Sequence, residues 1–285
     1  MVLNKNIHTF IGFDSEYEDS QIVVFGAPFD GTTSFRPGTR FAPAVMRNES
    51  YGLETYSPYL DKDLTDIKVY DAGDLEFPFG NTKKVLDMIE EFAKNVLNDG
   101  KIPVMIGGEH LVTLPSVKAV HEKYKDIYVL HFDAHTDLRE DYMGEKLSHA
   151  TVIRRVWELL GDDRIYQFGI RSGEREEFEW AKRHTNLTKF TYKGLEDVVN
   201  KLKEKKVYVT IDLDILDPSV FPGTGTPEPG GILFNDMMNI IGILKNLDIV
   251  GADIVELSPH YDNSGVSTAV ACKILRELVL AISKN

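Results

Sequence analysis

Ile127-Tyr-Val-Leu-His-Phe-Asp133-Ala-His135-Thr-Asp137 begins as an apolar strand and ends in two carboxylates and an imidazole. A run this apolar is buried on both faces, the mark of a strand in a parallel sheet covered by helices. If the chain stays extended, a period of two places Asp133, His135 and Asp137 on one face. Two anions and an imidazole crowded at the end of a buried strand repel or desolvate one another unless a cation lies between them. A metal ion is the simplest cation that fits. The bland alternative, in which these residues merely cap helices or pair with basic side chains, does not explain why they cluster at strand ends.

Two further segments have the same build. Asp212 and Asp214 follow the apolar run Val207–Ile211, and His110 follows Val104-Met-Ile-Gly107-Gly108-Glu109. In open parallel sheets, ligands bind at the carboxyl ends of the strands. The combined set is two imidazoles and four carboxylates with no thiolate, which suits Mn²⁺ better than a structural zinc. Six ligands exceed the usual need of one ion that also receives substrate, and two ions sharing carboxylates use them economically. Two divalent ions and four aspartates cancel in formal charge. A bridging hydroxide then leaves a net negative centre, which favours a cationic substrate.

Working outward, apolar strand-like runs alternate with amphipathic helical stretches. The pattern predicts strands over 22–25, 68–71, 104–106, 127–132, 164–168, 188–191, 207–211 and 249–256. It predicts helices over 82–98, 114–123, 149–160, 174–183, 195–203, 234–245 and 267–283. This is a mostly parallel sheet of about eight strands with helices on both faces, an order that also admits an eight-stranded barrel. Three loops are long or unusual in composition: 28–42, the Tyr-rich 52–66, and 217–231 with its Pro and Gly residues. No repeat, low-complexity tract or linker divides residues 1–285, so a single domain is expected.

The 285 residues are 42% hydrophobic, enough for a sizeable core, and carry a formal charge of −13. No basic stripe points to nucleic acid, and no apolar run is long enough for a bilayer span. The N-terminus has no apolar signal region. The single cysteine, Cys272, sits in an apolar stretch and is expected as a packed core thiol. A cytoplasmic location is the expectation.

Beyond single segments, the chain resembles the ureohydrolase family of arginases and agmatinases. The motifs are Gly107-Gly-Glu-His110, Asp133-Ala-His-Thr-Asp137, Ser148-His149, Asp212-Leu-Asp-Ile-Leu-Asp-Pro218, Pro222-Gly-Thr-Gly-Thr-Pro-Glu-Pro-Gly-Gly231 and Glu256-Leu-Ser-Pro259, in family order. The resemblance implies a three-layer α/β/α arginase-like fold and two Mn²⁺ per subunit. One ion would be held by His110, Asp133, Asp137 and Asp212, the other by Asp133, His135, Asp212 and Asp214. It also implies attack of a metal-bridging hydroxide on a guanidinium, with Asp137 as proton-transfer carboxylate, Glu256 as guanidinium-binding residue and His149 as proton shuttle and substrate contact. Family members are usually homo-oligomers, trimers or hexamers, and residues 1–20 and the Tyr-rich loop are candidate packing surfaces.

Arg139 stands where arginases carry a small amide, and this departure, with the 222–231 and 29–38 segments, resembles agmatinases. The expected reaction is hydrolysis of agmatine to putrescine and urea. Arg139 pointing into the site would instead favour a carboxylate tail, as in guanidinobutyrate, unless Glu140, Asp141 or Glu145 neutralises it. Arginase activity and an idle metal-binding scaffold are the remaining readings. Taken alone, His110 could cap a helix, His149 could be an ordinary exposed residue, and Glu256 could pair with an arginine. His131, deeper in its strand, reads as a satisfied core histidine. The Gly107-Gly108 pair lacks the Lys-Ser/Thr of a phosphate loop.

Overall fold

The computed structural model describes residues 8–284. Its elements run β1 (Ile22–Ala27), α1 (Ala42–Ser50), β2 (Tyr56–Ser57), β3 (Lys62–Asp63), β4 (Val69–Asp74), α2 (Thr82–Asn98), β5 (Ile102–Gly107), α3 (Thr113–Tyr124), β6 (Ile127–Phe132) and α4 (Val152–Leu160). They continue with β7 (Ile165–Ile170), α5 (Arg175–His184), β8 (Asn186–Lys189), α6 (Leu195–Leu202), β9 (Lys206–Asp212), α7 (Phe234–Leu244), β10 (Asp248–Val255) and α8 (Val266–Ile282).

Eight strands form one sheet in the order β4-β1-β5-β10-β9-β6-β7-β8, every pairing in it parallel. The sheet is open, with β4 and β8 as edges, so the barrel that the strand count allowed is not formed. One apolar core lies between the sheet and α1, α6, α7 and α8. The other face is covered by α2, α3 and α4, with Ala181 of α5 joining them. Burial of both faces explains why β1 and most of β7, β9 and β10 are apolar rather than alternating. Helix α2 shows the complementary pattern. Asn81 caps it by accepting from the Lys84 N–H at 3.0 Å, and Val85, Leu86, Ile89, Ala93, Val96 and Leu97 form its buried stripe.

The chain makes β5 and then β6 before returning to insert β9 and β10 between them. The four central strands β5, β10, β9 and β6 therefore end side by side, and each ends in a candidate site residue. Their carboxyl ends place the chemistry at one end of the central strands, where an α/β fold leaves a crevice.

Departures from the sequence reading have local causes. Helix α1 was not expected, because Arg47 interrupts its apolar face; that guanidinium is buried against Asp71 at 2.8 Å and also pairs with Asp74. The Tyr-rich loop contains the small antiparallel β2–β3 hairpin. The eighth strand lies two residues before its expected position, since Phe190 adopts a left-handed φ of 65° and ends the pairing. Of the candidate packing segment 1–20, residues 1–7 lie outside the described residues. Phe10 and Phe13 are fully buried in the chain's own core, stacked at 4.6 Å, and so are not a packing surface for another chain. Cys272 is buried, as expected. Among the described residues no helix is long and apolar enough to cross a membrane.

Candidate metal centre

Strand β6 ends at Phe132, and from there the chain bends rather than continuing extended. Asp133 turns back to accept the His135 N–H, and Asp137 takes a left-handed φ of 52°. The three residues therefore do not share one face of an extended chain, although their side chains still converge. What gathers them is the turn, which aims Asp133 and Asp137 toward His110 and His135 toward Asp214.

His110 enters from the end of β5, where Gly107-Gly108 brings two chain segments together. A Cβ on Gly108 would lie 1.9 Å from the Phe29 carbonyl oxygen, so only glycine fits this approach. The His110 Nδ1 is 3.1 Å from Asp133 Oδ2, 3.1 Å from Asp137 Oδ2 and 3.3 Å from Asp212 Oδ2. A second group joins Asp133, His135 and Asp214, with the His135 Nδ1 3.0 Å from Asp214 Oδ2 and 3.5 Å from Asp133 Oδ1. Asp212, at the end of β9, accepts the Asp214 N–H at 2.9 Å. All six candidate ligands are thus brought to one place.

The protonation pattern of His110 tests whether a cation belongs there. The Thr210 hydroxyl donates to Asp253 at 2.6 Å, so at 3.0 Å it accepts from the His110 Nε2–H. That turns the buried Nδ1 toward three carboxylates, where it carries either a proton or, with the lone pair free, a metal ion. Burial lowers the pKa of this ring, and the carboxylates more than reverse it, raising it well above the ordinary histidine value. Asp212 is driven well above the usual carboxylate range by burial and by Asp214 and Asp133. Positive charge is in demand at this point, and a divalent ion supplies it to all three carboxylates at once. An oxygen-rich donor set with two imidazoles and no thiolate fits a divalent metal of the manganese kind.

Glu256 follows β10 with φ 67°. Its Oε1 accepts the His110 N–H at 2.7 Å, and burial, then Glu109, pushes its pKa well above the ordinary value. His149 opens the short turn before α4. Its N–H donates to Thr32 Oγ1 at 3.1 Å, its Nε2 is 3.3 Å from Ser34 Oγ, and Tyr142 packs edge-on at 5.6 Å. Burial lowers its pKa to about 4, so the ring is neutral at pH 7.

A cavity of about 270 Å³ opens over these groups, lined by His110, Asp137, Asp212 and Glu256 at its floor and by Ser34, His149, Tyr142, Arg139 and Glu174 among its walls. Arg139 does line it, but its Nη1 is held by Glu174 at 2.8 Å, its Nε lies 3.8 Å from Glu177, and its guanidinium sits 4.9 Å from the Tyr142 ring. The neutralising acids are therefore Glu174 and Glu177, not Glu140, Asp141 or Glu145.

Several supporting residues were invisible to the sequence reading. Glu109 accepts from Thr32 N at 2.7 Å and from the Thr32 hydroxyl, tying the 28–38 loop and, through Thr32, His149 to the end of β5. Glu177 accepts from the Thr136 hydroxyl and, at 2.9 Å, from the Leu138 N–H, bracketing Asp137. Arg171 donates to the carbonyls of Asp214 and Glu228 at 2.7 Å and of Ile215 at 3.2 Å, clamping the two loops beside the site. The only sequence signal for such residues is a charge beside a motif or at a helix start, which is common on solvated surfaces as well.

The arginase-family profile matches residues 20–281. The chain is 50% identical to the agmatinase of Bacillus anthracis, covering 95% of each protein. It is 48% identical to the agmatinase of Bacillus subtilis, covering 96% of each. A crystal structure from Clostridium difficile, provisionally described as an agmatinase, superposes with a TM-score of 0.93 at 60% identity, covering 94% of this chain and 99% of that one.

Proposed function

The chain belongs to the arginase family, and from that premise we propose that it hydrolyses agmatine to putrescine and urea at a centre of two divalent metal ions. The observation that carries this reading is the cavity floor. Its carboxylates converge on the His110 Nδ1, with Glu256 beside them and, among the described residues, no lysine or arginine ion-paired to it. Asp133 and Asp212 would serve both ions, with His110 and Asp137 completing one set and His135 and Asp214 the other; the approach of Asp133, Asp137 and Asp212 to His110 and of Asp133 and Asp214 to His135 supports this reading.

When bound, a pair of divalent ions supplies hydroxide near neutral pH, which the resonance-stabilised guanidinium carbon requires. Glu256 pairs with the guanidinium through its free carboxylate oxygen and orients the carbon over the centre. Its Oε1 is fixed by the His110 N–H, so the carboxylate does not swing away. The departing amine needs a proton. Asp137, on the cavity floor, is placed to hand one over, and neutral His149 is placed to pass protons to solvent by way of the exposed Ser34 hydroxyl.

The far end of the substrate lies toward Arg139 and Glu174. Arg139 is paired with Glu174 and lies near Glu177, so among the described residues no lysine or arginine without an acidic partner lines the cavity to favour a carboxylate tail. Cavity size agrees with a small substrate, being just below the usual range for ligand pockets of roughly 300–1,000 Å³. Comparing kcat/KM for agmatine, 4-guanidinobutyrate and arginine on Mn²⁺-loaded protein tests the assignment. Agmatine is expected to lead by at least about tenfold, equivalent to roughly 1.4 kcal/mol. A lead for 4-guanidinobutyrate would mean that Arg139 turns inward, and no urea from any of the three would remove the enzymatic reading.

A further inference from the structure

His131 lies on β6 two residues before Asp133, is fully buried, and packs its ring 5.1 Å from that of His110. Its Nε2 is 2.7 Å from Asp133 Oδ2 and its Nδ1 is 3.1 Å from the Gln167 side-chain nitrogen. A ring nitrogen of His131 and ligand atoms of His110, Asp133 and Asp137 all fall within 4.8 Å of one another, so distance alone would admit His131 as a metal ligand.

The hydrogen bonds around Gln167 decide otherwise. Its NH₂ group also donates to the Thr136 carbonyl at 2.9 Å, and its oxygen accepts the Thr185 hydroxyl at 2.9 Å. Turning the amide round would set its oxygen against the Thr136 carbonyl oxygen, which can only accept, so that carbonyl fixes the orientation. Gln167 therefore presents an N–H to His131 Nδ1, which must be an unprotonated acceptor. The one ring hydrogen sits on Nε2 and points at Asp133. Both ring nitrogens are then occupied, one donating and one accepting, and neither is free to ligate.

We propose that His131 is a positioning residue, a neutral Nε2–H donor that holds Asp133 Oδ2 in place and draws charge from the carboxylate, with Gln167 fixing its tautomer. Ligating carboxylates are themselves held by hydrogen bonds, and loss of such a partner typically costs about 10–100-fold in metal affinity or activity. The inference rests on the proposed role of Asp133 as a ligand shared by two ions.

The test has two arms on the full chain. In the first, ¹⁵N-histidine NMR is recorded on protein loaded with diamagnetic Zn²⁺, with the His131 signals assigned by their loss in His131→Asn. A hydrogen on Nε2 and a bare Nδ1 are expected; a hydrogen on Nδ1, or a metal-shifted His131 nitrogen, overturns the proposal, and if the variant does not fold the wild-type signals are assigned by through-bond correlation instead. In the second, equilibrium dialysis with Mn²⁺ and urea-release kinetics compare wild type, His131→Asn and Gln167→Leu. Expected for His131→Asn are two ions per chain with affinity lowered about 10–100-fold. Its kcat falls while KM for agmatine is unchanged, and Gln167→Leu shows a smaller loss in the same direction. Loss of one ion means His131 is a ligand, and unchanged affinity and kcat with only a lower Tm means it merely fills the core. Wild-type protein that binds no metal pair or releases no urea defeats the proposed function, and the NMR arm still reads the tautomer.

Discussion

At the scale of the residue, Asp137 and Glu256 share a property that no pattern of residue types displays: both are non-glycine residues with left-handed backbones, φ 52° and 67°. Such conformations cost free energy and persist where the surroundings over-determine them. For Asp137 the surroundings are visible, since its carbonyl accepts the N–H groups of Ile153 and Arg154 at 3.1 Å each while Glu177 holds both of its neighbours. The candidate metal ligands were legible because charges at the ends of apolar strands are chemically conspicuous, whereas His149 carried no such signal and came only from the family resemblance. The geometry of the ligands was not legible, because the bend after Phe132 depends on hydrogen bonds to residues distant in sequence. For Glu256→Gln, metal content stays intact while kcat/KM for agmatine falls by about 100-fold or more, the consequence of truncating a buried charge pairing; loss of metal instead would make Glu256 structural. Asp133→Ala loses both ions, whereas Asp214→Ala retains the one held by His110, and metal analysis of purified variants separates the two. An Asp133→Ala protein that keeps two ions would contradict the shared role.

Among the elements, the strand ends depend on helices that bring no ligand. The start of α5 is a case in point: Glu177 binds the Thr136 hydroxyl and the Leu138 and Glu174 N–H groups, so one helix terminus fixes the Asp137 turn. Replacing it with alanine strands buried donors, at a cost of about 1–3 kcal/mol. Glu177→Ala is therefore expected to lower unfolding stability by that amount in urea titration and to weaken Mn²⁺ binding, with Glu177→Gln recovering most of both. Wild-type values for the alanine variant would show that the helix does not set the turn. The long elements were readable because their apolar periodicity is strong, as in α2. Helix α1 escaped because its buried face includes Arg47, whose partners Asp71 and Asp74 lie on another element. A buried ion pair has no local signature.

Across the whole molecule, parallel topology forces β5, β10, β9 and β6 to deliver their ends to one crevice, and the price of that convergence is a nest of buried carboxylates. Metal binding offsets this repulsion, so the loaded protein is the more stable form. At free Mn²⁺ 100-fold above Kd, binding one ion contributes about 2.7 kcal/mol. Chelation is accordingly expected to lower Tm by roughly 5–10 °C in calorimetry; an unchanged Tm would mean that the site is not coupled to folding. Acid acts elsewhere. Hydrogen bonds from Ser219, Gly230 and Gly231 hold the Asp217 carboxylate down at about 2, and Asp262 is likewise near 2 through Ser264 and Ser267, against the opposing effect of burial. A carboxylate depressed in the folded state adds stability above its unfolded pKa of about 3.9, and this is lost as pH falls toward 2. Unfolding followed between about pH 4 and 2 should therefore be less pH-dependent in Asp217→Asn than in wild type; equal slopes would show that this carboxylate does not hold the 217–231 loop.

The most direct test of the account is to titrate metal-free protein with Mn²⁺ and follow urea release from saturating agmatine. Urea and putrescine should form in equal amounts, with the rate rising to a plateau at two ions per chain. A plateau at one ion, or agmatine consumed without urea, would contradict a paired-metal hydrolysis of the guanidinium.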